Sequence, residues 1–321
     1  MNVKAICRCV AVGLLAGASM PVLAQASYPV RSIELSVPYG AGGATDVMAR
    51  KFASLLEKEL GQSVVVANRP GAQGTLQMSH LARTRPDGYS LGVAGFNALT
   101  YTAQRMSKPP FQIDDFVYFG EIGTFSYGLV VPGTSSIRNL DDYVAASKQP
   151  KGITYGVTGA PNNIPYAALA RTTGGVFEEV NYKSGLEAVT AAAGGHVESA
   201  LQNPQDIIPL AQAGQVRLIA SMTDKRILGY EDVPTAREQG YDLDVYSSLG
   251  LAAPKGLPED VRKTLQAATL KILQNPEYIE FMKGQHMYVN VVDGPAFRQK
   301  VLDGYQRMGT FIQEMDIPMI N

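Results

Sequence analysis

The sequence predicts an α/β fold of two lobes. Each lobe is a mostly parallel sheet flanked by helices, and crossing strands join the two. Three observations predict it. Short apolar runs alternate with segments of helical period along most of the chain, as strand–helix–strand units require. The alternation starts twice, near Ile33 and near Ile153, each time as strand, small-residue turn and helix. No long polar linker separates the two series, which suits lobes that share crossovers better than two domains on a string. A chain of 321 residues can bury one large core or two ordinary ones. The expected division is residues 25–124 with 250–321 in one lobe and 125–249 in the other.

Residues 1–24 read as a secretory signal. Lys4 and Arg8 supply the positive segment, residues 9–20 (CVAVGLLAGASM) the apolar one, and Pro21-Val22-Leu23-Ala24 a small-residue cleavage site. The apolar run is shorter than the ~18–20 residues that span a bilayer. Its removal takes away two cations and both cysteines, Cys7 and Cys9, leaving a mature net charge of -3. The mature chain then has no disulfide, thiolate nucleophile or cysteine metal site, and no lipid anchor is expected.

The first series follows in order. Residues 33–37 (IELSV) form a strand stopped by Pro38, and a glycine-rich turn leads into a helix over 45–60. Met48, Phe52, Leu55, Leu56 and Leu60 share one face of that helix, Gly61 closes it, and Thr45 is placed to cap it. A β-branched strand at 64–67 ends in the turn Asn68-Arg69-Pro70-Gly71. A helix at 73–83, a strand at 89–94 and a short helix at 98–104 complete the series. The second series has strands at 127–131, 153–157, 180–182, 197–201 and 216–221, with helices at 140–147, 164–172, 186–193 and 206–213. After residues 250–254 come helices at 258–274 and 296–315.

Composition excludes several functions. Lys plus Arg is 28 against 29 for Asp plus Glu, which gives no footprint for nucleic acid. His80, His196 and His286 are scattered without metal-ligand spacing, so no metal is expected. There is no GxSxG elbow, and no Gly-Lys-Ser/Thr follows the glycines. No cofactor is expected.

Two turns carry the candidate chemistry. Tyr39-Gly40-Ala41-Gly42-Gly43-Ala44-Thr45-Asp46 joins a strand end to a helix start. Glycines there let the main chain approach a ligand, and the unpaired N–H groups of the helix start attract an anion without any cationic side chain. Thr158-Gly159-Ala160-Pro161-Asn162-Asn163 repeats the design in the second series, with Asn at the cap. Ligands in open α/β sheets sit at the carboxyl ends of strands. By that rule Phe96, Asn97, Tyr182, Gln202 and Asn203 are further candidates. Each of these residues can equally be ordinary turn or core chemistry.

A dinucleotide site is the alternative for the first turn, with Asn68-Arg69 placed for a 2′-phosphate. Three features oppose it. Thr45 stands where the third glycine belongs, Asp46 would face a pyrophosphate, and the signal directs the chain away from diffusible nicotinamide cofactors.

At these residues the sequence resembles the Bug-type periplasmic solute receptors of tripartite tricarboxylate transporters. The markers are Tyr28-Pro29-x-Arg31, Val37-Pro38-Tyr39-x-x-Gly42-Gly43-x-Thr45-Asp46, Asn68-Arg69-Pro70-Gly71-Ala72 and Pro86-Asp87-Gly88-Tyr89. Tyr155-Gly156, Tyr182-Lys183, Asp232-Val233-Pro234-Thr235 and residues 250–254 continue the series over nearly the whole mature chain. The resemblance implies a periplasmic-binding-protein-like fold, hinged near Phe125 and Leu249, that closes over a small organic carboxylate. It implies main-chain and water contacts at the two turns, delivery to membrane permease subunits and, in some members, to a sensor kinase. A monomer is expected. The chain departs from the family pattern at residues 160–165, where Pro161 and Pro165 remove two N–H donors, and at Gln202-Asn203, where the family has Asp-Asn. The rival from another class is an exported enzyme acting on a carboxylate, with Asp46 or Lys183 as its base.

Overall fold

Two five-stranded sheets organise the computed structural model, which describes residues 28–245 and 247–320. The expected signal segment lies outside the described residues. The first series forms β1 (Ile33–Val37), α1 (Ala44–Leu60), β2 (Val64–Asn68), α2 (Thr75–Leu81) and β3 (Ser90–Gly95). A π-helical turn, Ala98–Thr102, then runs into the short α3 (Ala103–Arg105), and β4 (Phe116–Thr124) follows. The second series is β5 (Gly128–Pro132), α4 (Leu140–Ser147), β6 (Ile153–Val157), α5 (Ile164–Thr173), β7 (Phe177–Asn181), α6 (Gly185–Ala193), β8 (Ser199–Gln202), α7 (Pro204–Gln212) and β9 (Val216–Ser221). The chain ends with β10 (Ser248–Pro254), α8 (Glu259–Leu273), α9 (Pro276–Gly284) and α10 (Gly294–Glu314).

The sheets have the orders β2-β1-β3-β10-β4 and β7-β6-β8-β5-β9. In each, the fourth strand runs antiparallel to both neighbours and the other four run parallel. That odd strand is the one that crosses over. β5 leaves the first sheet only three residues after β4, and β10 returns to it from β9.

Packing follows the apolar stripes. Met48, Phe52, Leu55 and Leu56 of α1 are buried, and the Phe52 ring meets Tyr278 of α9 edge-on at 5.8 Å. Burying a side chain such as Phe52 stabilises by about 1.5–3 kcal/mol. Gly61 ends the helix at φ 67 and donates to the Glu57 carbonyl.

Three local expectations are corrected. Thr45 does not cap α1: the helix opens one residue earlier, with Gly43 at the cap and no side-chain cap bond. Asn163 does stand at the cap of α5, but its side chain donates to Glu179 rather than to the helix. The strand expected at 180–182 begins at Phe177 and ends at Asn181, so Tyr182 lies beyond it. Strands β4 and β10 and helix α9 have no counterpart in the sequence reading. β4 carries Glu121, fully buried, in the middle of its apolar run. That carboxylate accepts from Lys300 Nζ and Asn290 Nδ2, each at 2.9 Å, and from the Thr124 hydroxyl. Lys300 and Asn290 lie too far along the chain for a local pattern to show them.

Candidate functional site

The parallel strands of both sheets aim their carboxyl ends at one cleft. The turns after β1, β3, β6 and β8 meet there around a cavity of about 340 Å³. Phe125, Tyr127, Ser247, Ser248 and Leu249, from the two crossovers, form its back. Of the residues expected from sequence, Tyr39, Gly43, Thr45, Phe96, Asn97, Thr158, Asn162, Gln202 and Asn203 line it. Gly40, Ala41, Gly42, Asp46, Gly159, Asn163 and Tyr182 stand outside the lining.

The first turn is braced from behind. Asp46 is buried and accepts from the Gly42 N–H, from Arg50 Nε and from Asn68 Nδ2, each at 2.9 Å. Burial pushes its carboxyl up, but the bonds from Arg50, Gly42 and Asn68 and the Arg50 charge outweigh that and hold it at about 2. Asn68 also donates to the Tyr39 carbonyl, and Arg69 pairs with Glu34. Neither is turned toward a phosphate. Gly42 sits at φ 84, a conformation that favours glycine. The first N–H groups of α1 lie outside the helical ladder, no side chain caps them, and Ala44 and Thr45 line the cavity. The helix start thus lies at the cleft without a side-chain cap, while the acid of its first turn is engaged on the loop side.

The second turn is built differently. The Asn162 N–H donates to the Gly159 carbonyl, the Ile164 N–H donates to the Pro161 carbonyl, and Pro161 and Pro165 have none to give. The opening of α5 is therefore a poor anion cradle. Side chains take its place. Asn162 is buried and donates through Nδ2 to the Leu201 carbonyl at 2.7 Å and to Gln202 Oε1 at 2.9 Å. That fixes the Gln202 amide by its oxygen and leaves Gln202 Nε2 buried with no partner among the described residues. Asn203 Oδ1 and Ser248 Oγ, also at the cavity, are in the same state. Such a buried orphan costs about 1–3 kcal/mol. Three around one cavity mark it as a place for a polar guest.

The remaining candidates have structural partners. Asn97 Nδ2 donates to Ser247 Oγ at 3.2 Å, tying the end of β3 to the crossover. The Phe96 ring packs so closely on Gly304 of α10 that a Cβ there would lie 2.2 Å from it. Tyr182 lies against Gly156 on the side of α6, and Lys183 is not among the lining residues. Burial raises the Tyr127 hydroxyl well above its ordinary range, so it remains a neutral group that bonds Ser247. Gln73, Thr102, Tyr127, Ser247 and Ser248 line the cavity without having been expected from sequence. The crossover residues carry no turn signature of their own. No lining residue is Asp, Glu, His, Lys or Arg. Among the described residues no group of three His, Cys, Asp or Glu could hold a metal, and no helix is long and apolar enough to cross a membrane.

Residues 48–317 match the family described as the tripartite tricarboxylate transporter family receptor, TctC. The chain belongs to this receptor family. A Cupriavidus necator protein, described as the UPF0065 protein in the gbd 5′ region, is 32% identical over 306 residues, covering 94% of this chain and 92% of its own. Protein BugT of Bordetella pertussis is 29% identical, with 93% of each chain covered. A TctC solute-binding protein from Polaromonas, solved without ligand, superposes with a TM-score of 0.76 at 28% identity, covering 90% of this receptor and 100% of that chain. The periplasmic binding protein BugD gives 0.76 at 26%, covering 91% and 99%. Two solved structures of lower sequence identity hold ligands. Rpa4515 of R. palustris, with adipate, has a TM-score of 0.80 at 24% identity over 91% and 99% of the two chains. MatC of Rhodopseudomonas palustris, with bound malate, has 0.75 at 23% over 89% and 100%. The receptor's two-sheet architecture is that of these solute-binding proteins.

Proposed function

We propose that this receptor works in the periplasm, captures a small organic carboxylate in the cavity between its lobes and hands it unchanged to the membrane subunits of a tripartite transporter. The lobes of this reading are residues 25–124 with 250–321, and 125–249, hinged at Phe125 and Leu249. One observation carries it: the cavity is walled by neutral polar groups from both sheets and by no ionisable side chain except tyrosine. The α1 opening offers main-chain N–H groups from one side, and the orphaned Gln202 amide faces them from the other. Dipoles and hydrogen bonds of this kind hold a carboxylate without a counter-charge. The same wall offers no carboxylate, imidazole or amine as a general base, which favours a receptor over an enzyme.

A ligand-panel melt tests the reading. At 100 times the dissociation constant a single ligand adds about 2.7 kcal/mol of stability. The chain has no Trp, so the melt is followed by dye or circular dichroism. The neighbours that hold adipate and malate set the first probes, joined by other C4–C6 dicarboxylates, hydroxy acids, amino acids and aromatic acids. A rise in midpoint with at least one acid, recovered unchanged by mass spectrometry, is expected. A flat panel, or a ligand chemically altered on incubation, overturns the reading.

A further inference from the structure

The segment between β2 and α2 contains four consecutive residues at positive φ: Gly71 at 143°, Ala72 at 45°, Gln73 at 52° and Gly74 at 91°. Glycine adopts such values freely; Ala72 and Gln73 adopt them against steric resistance. Gly74 is also held close by its neighbours, since a Cβ there would lie 3.2 Å from Pro38 and 3.3 Å from Ala98. The turn is closed by the Gly74 N–H donating to the Gly71 carbonyl and by the Thr75 hydroxyl donating to the Ala72 carbonyl. Neither bond uses the Gln73 side chain, so the turn itself does not call for one. The side chain instead lines the cavity, where Thr102 Oγ1 donates to Gln73 Oε1 at 3.2 Å. This is the arrangement already met in the other lobe, where Asn162 holds Gln202 Oε1 and leaves Nε2 buried and unpartnered. In both places a neighbour holds the amide oxygen, but the Gln202 N–H₂ is buried without a partner among the described residues whereas Gln73 is an exposed residue. Strained backbone persists where the position of a side chain matters more than local comfort.

We propose that Gln73 is a specificity-determining residue, whose side-chain amide reads the second carboxylate of a short dicarboxylate together with Gln202 from the opposite lobe. The proposal rests on the receptor reading above and narrows its ligand class. The first carboxylate takes the main-chain donors at the start of α1, and the second takes the amide pair. A monocarboxylate of the same chain length satisfies the first set and leaves the buried Gln202 amide unpaired and the exposed Gln73 amide to water, and a desolvated donor without a partner discriminates against it.

Titration calorimetry of the mature receptor decides it, with adipate against hexanoate and malate against 2-hydroxybutyrate. The unaltered receptor is expected to bind one diacid at least about tenfold more tightly than its monoacid partner, the factor that one lost neutral hydrogen bond corresponds to. Gln73→Ala keeps the strain and removes the amide. It should lose that tenfold for the diacid, leave monoacid binding as it was and melt at the original midpoint. Gln73→Gly should lose the same preference but melt about 2–4 °C higher, because glycine relieves the backbone. Gln73→Glu puts a like charge beside the second carboxylate and should weaken the diacid further. Diacid binding unchanged in the alanine and glycine variants overturns the role of Gln73 alone. A receptor that binds the monoacids as tightly as the diacids overturns the dicarboxylate assignment. If none of the four probes binds, the proposal falls; the wider panel then shows whether the receptor reading falls with it or survives on another acid.

Discussion

The carboxylate of Asp46 lies within the first turn of α1, beside the donors that face the cavity, yet its acceptor capacity is taken up by Gly42, Arg50 and Asn68. An acid at that place in the sequence reads as an obstacle to anion binding. In three dimensions it braces the loop beside the proposed anion site. The glycines of this turn were legible, because left-handed φ and close approach leave a mark on composition. The direction of the Asp46 side chain was not, since Arg50 and Asn68 become its partners only on folding. Gln73 was equally silent, because nothing in Gly-Ala-Gln-Gly says that the two central residues share the glycine conformation. A prediction follows from the carboxyl held at about 2, below its ordinary 3.8. A depressed carboxyl stabilises the fold above its unfolded pKa, and that contribution is lost as pH falls through the folded value. Asp46→Asn should therefore be less stable than the native receptor at neutral pH, and the gap should close between about pH 4 and pH 2. Urea unfolding across that range measures it. A gap that is constant with pH would assign the loss to something other than the charge.

Elements with a strong local period, such as α1, α4, β1, β6 and β9, matched the sequence reading closely, because each needs only its own face to be recognised. β4 and β10 escaped it for a common reason. Both belong to the crossover, both contain glycines, and their packing partners come from remote parts of the chain. At Gly250 of β10 a Cβ would lie 2.1 Å from the Phe297 ring of α10, so that glycine serves close packing rather than a turn. The buried Glu121 of β4 faces Lys300 of α10, whose side chain is 39% exposed. Removing the two partners should have unequal effects. Lys300→Met takes away the cation that faces a fully buried carboxylate and should cost about 3 kcal/mol. Glu121→Leu removes the buried charge itself and leaves the Lys300 ammonium on a partly exposed side chain, so the loss should be smaller even though Asn290 and Thr124 lose an acceptor. Chemical denaturation of the two variants gives the order, and the reverse order would show that the strand depends on the carboxylate more than on its neutralisation.

Both sheets use the same strand order, and the chain's two starts at Ile33 and Ile153 announced that repetition. What repetition could not announce is that the two turns at the cavity diverge: an uncapped helix start at α1, a fixed side-chain amide beside α5. Both solutions are uncharged, and this has a consequence for the whole molecule. The full chain carries a formal net charge of -1, so its overall field does not draw in an acid, and the cavity wall contains no cation to do so at short range. Raising NaCl from about 0.02 M to about 0.5 M shortens the screening length from about 20 Å to about 4 Å. A ligand held by an exposed Arg or Lys would lose much of its affinity over that interval. On the proposed reading the bonds to the acid come from fixed dipoles lining the cavity, which salt screens less than exposed charges, and screening also removes the weak repulsion between an acidic receptor and an anionic ligand. The dissociation constant of the tightest acid, measured by calorimetry in the two salts, should change by less than about threefold, and any small change should be toward tighter binding. A tenfold weakening would mean that a cationic side chain reaches the ligand in the closed state and that the neutral wall is not what holds it.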